Sequence, residues 1–182
     1  MEKWCIAKEF SFEMGHRVWN QRLDNPELSI STECACKHLH GHSYTIKIEL
    51  SAGNLKNGFV TDFKNLNFMK KFIDESLDHK FMIDINDPNF ELITSIVPEV
   101  ITDPCFKQKF INFYNLYNYV PDLTGKDRIL HVKSFSVVDF CPTSENICKH
   151  LHRYASLKMS GIAEVSAVEL WETKKSHCRY EV

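Results

Sequence analysis

The stretch CKHLHGHSY, residues 36–44, places Cys36, His38, His40 and His42 at alternate positions. Imidazole and thiolate are zinc ligands, and a catalytic zinc takes three protein ligands and keeps a fourth position open. His40 and His42 lead into a run in which Tyr44, Ile46, Ile48 and Leu50 alternate with Ser43, Thr45, Lys47 and Glu49, the period of a half-buried strand. Side chains at i and i+2 of a strand share a face, so both imidazoles can converge on one ion, and Gly41 between them leaves room for close approach. A third ligand is offered by His16, at the end of a run in which Trp4, Ile6, Phe10, Phe12 and Met14 alternate, interrupted by Lys8. Antiparallel pairing of the two strands would bring the three imidazoles together; a surface loop position for His16 fits the spacing equally. His38 precedes the strand, where its direction is not fixed, and stays outside the ligand set.

The pentapeptide CKHLH recurs at Cys148–His152. There Ile147, Leu151, Tyr154 and Ala155 follow helical spacing behind PTSEN, a helix-start composition. On a helix His150 and His152 diverge. Cys148 and His152 share a face at i, i+4, but Cys148 borders the apolar stripe, and a buried cysteine is the commoner outcome.

The elements that must position these groups belong to a chain of ordinary globular make-up. With 182 residues, 43% hydrophobic and 25% charged, the default is one domain burying about two thirds of its unfolded surface. A formal net charge of −2 provides no broad basic field for nucleic acid. No run approaches the roughly 18 apolar residues that span a bilayer, and MEKWCIAKEF carries no signal-type apolar stretch. With an odd number of cysteines, seven, the expectation is a reduced, cytoplasmic protein. Asn57-Gly58 signals a tight turn, and Leu66, Met69, Ile73 and Leu77 then mark one face of a helix with Asp62 as N-cap. Asp78 and His79 fall at that helix's end, where a carboxylate can orient an imidazole and raise its basicity.

Taken in order, FSFEMGH, CKHLHGHSY, SLDHK, PTSEN and LWET resemble the motifs of the 6-pyruvoyl-tetrahydropterin synthase and 6-carboxytetrahydropterin synthase family, over residues 4–85 and 135–182. The resemblance implies an α+β tunnelling fold (T-fold): an antiparallel sheet with helices packed on one face, oligomerising into a barrel as a homo-oligomer, trimer or hexamer. It implies Zn2+ bound by His16, His40 and His42, and 7,8-dihydroneopterin triphosphate as the small-molecule substrate. It also implies that Asp78 and His79 assist a catalytic cysteine, across a subunit boundary, and that Glu172, with Thr143, Ser144 and Glu145, binds the pterin. Spacing alone makes Thr143 or Ser144 a helix cap and Glu172 an exposed strand residue. Lys174 or Lys175 could contact triphosphate, or simply form a charged turn.

Two cysteines compete for the catalytic role. Members forming the carboxy product have three residues between cysteine and HGH, as Cys36 does; mammalian-type pyruvoyl enzymes have five, as Cys34 does. Cys36 is preferred because CKHLHGHSY is nearest the short form. Folate-branch members place Glu two residues before HGH, where this chain has Lys37, and Glu33 lies too far upstream. A thiol of ordinary pKa about 8.5 is readily lowered near a metal or a protonated histidine, which suits it to moving protons beside an acidified substrate hydroxyl. The expected reaction is formation of 6-pyruvoyl-tetrahydropterin with loss of triphosphate. The alternatives are the 6-carboxy product, a hydroxymethyl-dihydropterin, or a non-catalytic pterin or purine binding module. No GxGxxG or P-loop is present to hold a nucleotide cofactor.

The expected organisation is a single unit over 1–182 with an insertion at about 88–134 that shorter family members lack. Within it Phe106, Phe110, Phe113 and Tyr117 lie at helical spacing, so a packed helix is expected there.

Overall fold

In a computed structural model the described residues are 2–22, 25–28, 33–101, 115–120 and 122–182. Strand β1 (Trp4–His16) and strand β2 (His40–Ala52) form the longest pair, antiparallel, with Phe10 opposite Ile46, Phe12 opposite Tyr44, Met14 opposite His42 and His16 opposite His40. Helix α1 (Asn67–Ser76) follows, then strand β3 (Lys80–Asp84), the short helix α2 (Phe90–Thr94), helix α3 (Lys126–Lys133) and strand β4 (Phe135–Val138). Helix α4 (Ser144–Met159) leads into the hairpin of β5 (Glu164–Thr173) and β6 (Ser176–Glu181). The six strands make one sheet in the order β4-β3-β1-β2-β5-β6.

The expected antiparallel sheet is present as the long strands β1, β2, β5 and β6. The sheet as a whole is mixed, because β3 and β4 join in parallel on the far side of β1. Parallel neighbours need crossover connections, which α1 and the segment 85–134 provide.

Alternation decides the two faces. Phe10, Phe12, Met14, Tyr44, Ile46, Ile48, Leu50, Val165, Val168 and Leu170 turn inward and pack with the apolar sides of α1 and α4 in one core. Leu66, Met69, Ile73 and Leu77 are all fully buried there, as their helical spacing requires. Asp62 caps the turn before α1, its side chain accepting from the Lys64 N–H at 2.7 Å, and Asn57 and Gly58 make the preceding turn with φ of 53° and 88°, the positive values of a two-residue hairpin loop. Thr143 is the N-cap of α4, accepting from the Asn146 N–H at 3.2 Å. A second cluster, with Ile83, Phe90, Ile96, Leu116, Val132 and Val137, binds the insertion to β3 and β4. Phe106, Phe110 and Phe113 lie outside the described residues. Tyr117 sits in a short 3-10 turn, Leu116–Tyr119, whose N-cap Asn115 accepts from the Tyr117 N–H, and not in an α-helix.

The opposite face of the sheet is polar. Arg179 on β6 donates to Glu49 at 2.8 Å and also to Glu169 and Glu181, and Lys47 completes the ladder by pairing with Glu49 at 3.1 Å. Arg179 and Lys47 hold the Glu49 carboxyl down at about 2, against the opposing effect of burial. A carboxylate lowered in the folded state adds stability that is complete above its ordinary value of 4.5 and is lost as pH falls towards 2. Glu49→Gln is therefore expected to lower Tm at pH 7 by about 2–4 °C, the equivalent of roughly 1 kcal/mol in a chain of this size. It should also flatten the decline of Tm between pH 4.5 and 2 seen in thermal melts of the parent; an unchanged acid limb would contradict the ladder's contribution.

Candidate active site

At one end of the inward face the apolar alternation gives way to imidazoles. His16 closes β1 and lies directly across from His40, with His42 two residues further along β2 on the same face. Ring centroids are 4.4 Å apart for His16 and His40, 5.2 Å for His16 and His42, and 5.0 Å for His40 and His42. One nitrogen from each ring lies within 4.8 Å of the others, and among the described residues this is the group of metal-ligating side chains so arranged. Pairing of β1 with β2 thus resolves the two positions open to His16 in favour of the cluster.

Two of the rings are oriented by backbone carbonyls. His16 Nδ1 lies 2.7 Å from the Pro142 oxygen, and His40 Nδ1 lies 2.8 Å from the His38 oxygen. A carbonyl can only accept, so each Nδ1 carries the proton and each Nε2 presents a lone pair. Both Nε2 atoms are buried and have no partner among the described residues. Burial, reinforced by the neighbouring imidazoles and opposed by the Pro142 bond, lowers His16 to about 4, and burial with His40 lowers His42. Three imidazole nitrogens gathered within 4.8 Å of one another, two of them buried without a hydrogen-bond partner among the described residues, are a donor set that fits a divalent cation such as zinc.

The residues around the cluster come from distant parts of the chain. Pro142 places the start of α4 against His16. Glu172 sits on a β-bulge, since Trp171 pairs with His177 and Thr173 with Ser176, leaving Glu172 as the extra residue. It continues the inward alternation of Val168 and Leu170, and its carboxylate lies 3.8 Å from His16 Nε2, so the exposed position suggested by spacing is replaced by a half-buried one. Burial and the nearby Glu145 raise Glu172 above the usual carboxylate range. Thr143 and Ser144 are half-buried at the same helix start. A cleft of 690 Å³ runs along the outward side of the sheet from Glu9, Ser43 and Thr45 to Trp171 and Thr173, and reaches His42 and Glu172.

Cys36 and Cys34 stand half-buried around a 3-10 turn just before β2. Cys34 donates to Gln21 Oε1 at 3.0 Å. Cys36 is close enough to Cys34 and Glu172 for both to act on it, and its backbone oxygen accepts from Val18 N–H at 2.8 Å. Burial, Cys34 and Glu172 push the Cys36 thiol up. The protein's own groups therefore do not supply the lowered thiol expected from the sequence.

Asp78 and His79 lie towards the polar face. Asp78 Oδ1 accepts from the Glu13 N–H at 2.9 Å, and His79 N–H donates to the Glu13 oxygen at 2.8 Å, which ties the end of α1 to β1. Asp78 Oδ2 is 3.0 Å from His79 Nδ1, and His79, with φ of 57°, leaves its ring 81% exposed. The Glu13 N–H and, next, His79 hold Asp78 below the usual range, against burial. His79 shares a 350 Å³ cleft with Glu13, Gly15, Gly41, His42 and Ser43, which opens on the outward side of the β1–β2 pair.

The second pentapeptide is structural. Cys148 is buried and donates to the Val168 oxygen at 3.0 Å, His152 Nε2–H donates to the Val165 oxygen at 3.0 Å, and His150 packs on Phe140 at 5.3 Å between centroids. One residue that the sequence pattern does not single out, Tyr44, belongs beside the first cluster: its ring stands edge-on to His16 and His42 at 6.0 and 5.6 Å. The signal for it was its place as the next inward residue after His40 and His42.

Residues 5–182 match the family model described as 6-pyruvoyl tetrahydropterin synthase. A 6-carboxy-5,6,7,8-tetrahydropterin synthase of Aquifex aeolicus is 29% identical, with 98% of each chain covered. A protein of the same description from Haemophilus influenzae is 27% identical, with 97% of each covered. Among solved structures, an uncharacterized protein from Wolinella succinogenes superposes with a TM-score of 0.82 at 36% identity, covering 100% of this chain and 99% of that one. The Caenorhabditis elegans 6-pyruvoyl tetrahydropterin synthase shares the fold, with a TM-score of 0.57 at 18% identity over 100% and 97% of the two chains. With its T-fold sheet, its three convergent histidines and a family match over nearly its whole length, this chain belongs to the 6-pyruvoyl tetrahydropterin synthase family.

Proposed function

We propose that this protein is a zinc-dependent pterin synthase that converts 7,8-dihydroneopterin triphosphate and one water to 6-carboxytetrahydropterin, releasing triphosphate and acetaldehyde. The observation that carries the reading is the convergence of His16, His40 and His42 beside Cys36 and Glu172. The carboxy product is favoured by the names of the relatives that match over nearly their full length, and by the three-residue spacing from Cys36 to HGH. The pyruvoyl product expected from the sequence is the second reading, favoured by Cys34 at the five-residue spacing.

His16, His40 and His42 would hold the zinc. Zinc bound there would supply Lewis-acid chemistry, making a substrate hydroxyl more acidic and favouring the thiolate form of a nearby cysteine. Cys36 is then the group that takes and returns protons at the substrate side chain. Glu172 accepts from the amino and ring N–H groups of the pterin, with Glu145, Thr143 and Ser144, at the start of α4, as further pterin-binding residues. Asp78 fixes the His79 ring as a second proton carrier. The exposure of His79 suits an oligomer, trimer or hexamer, in which it serves the site of a neighbouring subunit. A single unit over 1–182 in the cytoplasm is the expected setting; no helix among the described residues is long and apolar enough to cross a membrane.

Two measurements test this reading. Elemental analysis of purified variants should find bound zinc reduced by more than about tenfold in His16→Ala, His40→Ala and His42→Ala, and unchanged in His152→Ala, which alters the other pentapeptide. Retention of zinc by all three cluster variants would remove the metal assignment. Mass spectrometry of the reaction of the zinc-loaded protein with 7,8-dihydroneopterin triphosphate should find the carboxy product and acetaldehyde. Turnover should fall by about 10²-fold or more in Cys36→Ala and much less in Cys34→Ala. A pyruvoyl product would select the second reading, and unchanged substrate with zinc and assembly intact would make the protein a pterin-binding module.

A further inference from the structure

Of the PTSEN stretch, Thr143, Ser144 and Glu145 have a part in the reading above, and Asn146 has none. Its two donors grip the residues on either side of Pro142. The side-chain Nδ2 donates to the Cys141 oxygen at 2.9 Å, and the backbone N–H donates to Thr143 Oγ1 at 3.2 Å. The Cys141 oxygen also accepts from the Thr143 N–H at 2.8 Å, which closes a tight turn around Pro142. Pro142 has a ring-fixed φ and no N–H, so the direction of its carbonyl is set by these two neighbours. That carbonyl is the one that lies 2.7 Å from His16 Nδ1.

The His16 ring has a second acceptor near its other nitrogen, Glu172 Oε1 at 3.8 Å from Nε2. A neutral imidazole has one proton for the two of them. The Pro142 oxygen at 2.7 Å is within hydrogen-bond range and the carboxylate at 3.8 Å is outside it, so the proton sits on Nδ1 and Nε2 keeps its lone pair. This balance depends on where the carbonyl is held. His16 is 1% exposed, so solvent offers no substitute for it. If the carbonyl draws back, the tautomer with its proton on Nε2, turned to Glu172, becomes the favoured one, and a protonated nitrogen cannot ligate. On the three-histidine metal reading given above, we infer that Asn146 is a positioning residue for the metal centre: by clamping the turn around Pro142 it keeps the His16 proton on Nδ1 and leaves Nε2 free to bind the ion.

Asn146→Asp keeps the size and shape of the side chain and replaces the donating amide with a carboxylate that can only accept. A negative charge in the first turn of α4 by itself favours both the helix and a nearby cation, so a loss of zinc binding runs against each of those electrostatic effects. Competition against a chromophoric zinc chelator should show the variant binding zinc about tenfold more weakly than the parent, with the Tm of the metal-free protein not lowered. Proton–nitrogen spectra of isotope-labelled imidazoles in the metal-free protein, with His16 identified by the signal missing in His16→Ala, should show the Nδ1–H tautomer in the parent and a mixture of both in the variant. Equal zinc affinity or an unchanged tautomer overturns the inference. So does a loss of zinc accompanied by a matching loss of Tm in the metal-free protein, which marks a structural role alone. Should Asn146→Asp fail to fold, Asn146→Ala, which removes the donor without adding charge, is read by the same outcomes. Parent protein that takes up no zinc, or takes up as much after His16→Ala, overturns the metal reading itself.

Discussion

The β1–β2 register governs everything else in the site, because it alone brings His16 across from His40 and next to His42. Strand side chains alternate with a period of two, so a slip by one residue on one strand would turn its imidazoles to the opposite face. The register is secured by hydrophobic burial further down the pair. A slip would expose Phe10, Phe12 and Met14, or Ile46, Ile48 and Leu50, each worth about 1.5–3 kcal/mol when buried. That loss is comparable with the whole stability of an ordinary domain, so the apolar ends of these strands lock the polar ends in place. Gly15 and Gly41 face each other on the polar side of the same pair, where a Cβ on Gly15 would come within 2.5 Å of the Phe81 side chain and one on Gly41 within 3.0 Å of the Met14 oxygen. Their lack of side chains lets β3 approach and keeps the cleft beside His42 open.

Around that register the remaining groups are delivered by element ends. The start of α4 contributes the Pro142 carbonyl that sets the His16 tautomer, the end of β5 carries Glu172 to 3.8 Å from His16 Nε2, and the turn before β2 carries Cys36. The end of α1 is tied to the Glu13 backbone of β1. Element ends can do this because packed strands and helices hold them rigidly, yet they are free of the alternation that constrains residues within a strand. Burial lowers His16 and His42 and raises the Glu172 carboxyl and the Cys36 thiol, so these four groups are each pushed towards their neutral forms.

Much was legible from local pattern. The alternation over β1 and β2, the Asn57-Gly58 turn, the Asp62 cap with its Leu66, Met69, Ile73, Leu77 stripe, and the Thr143 cap of α4 all stand where their spacing puts them. His40 and His42 were recognisable as a pair because both lie in one strand. The same letters in Cys148–His152 were recognisable as different, because on a helix they cannot converge, and their hydrogen bonds to Val165 and Val168 bear that out.

Other features had no local signature. Tyr44 reads as one more large residue in an apolar alternation, and only its burial without a partner sets it apart. Glu172 reads as exposed at the end of its strand, and only the packing of β1 and the start of α4 around it half-buries it beside His16. The parallel addition of β3 and β4 follows from crossovers whose direction no periodicity encodes. Sequence by itself determined β1, β2, α1 and α4, the Asp62 and Thr143 caps and the two-histidine core of the site, because those depend on neighbours within a few residues. Tertiary structure decided the third histidine, the tautomers and the burial of Glu172 beside His16, because each depends on groups from strands and helices far apart in the chain.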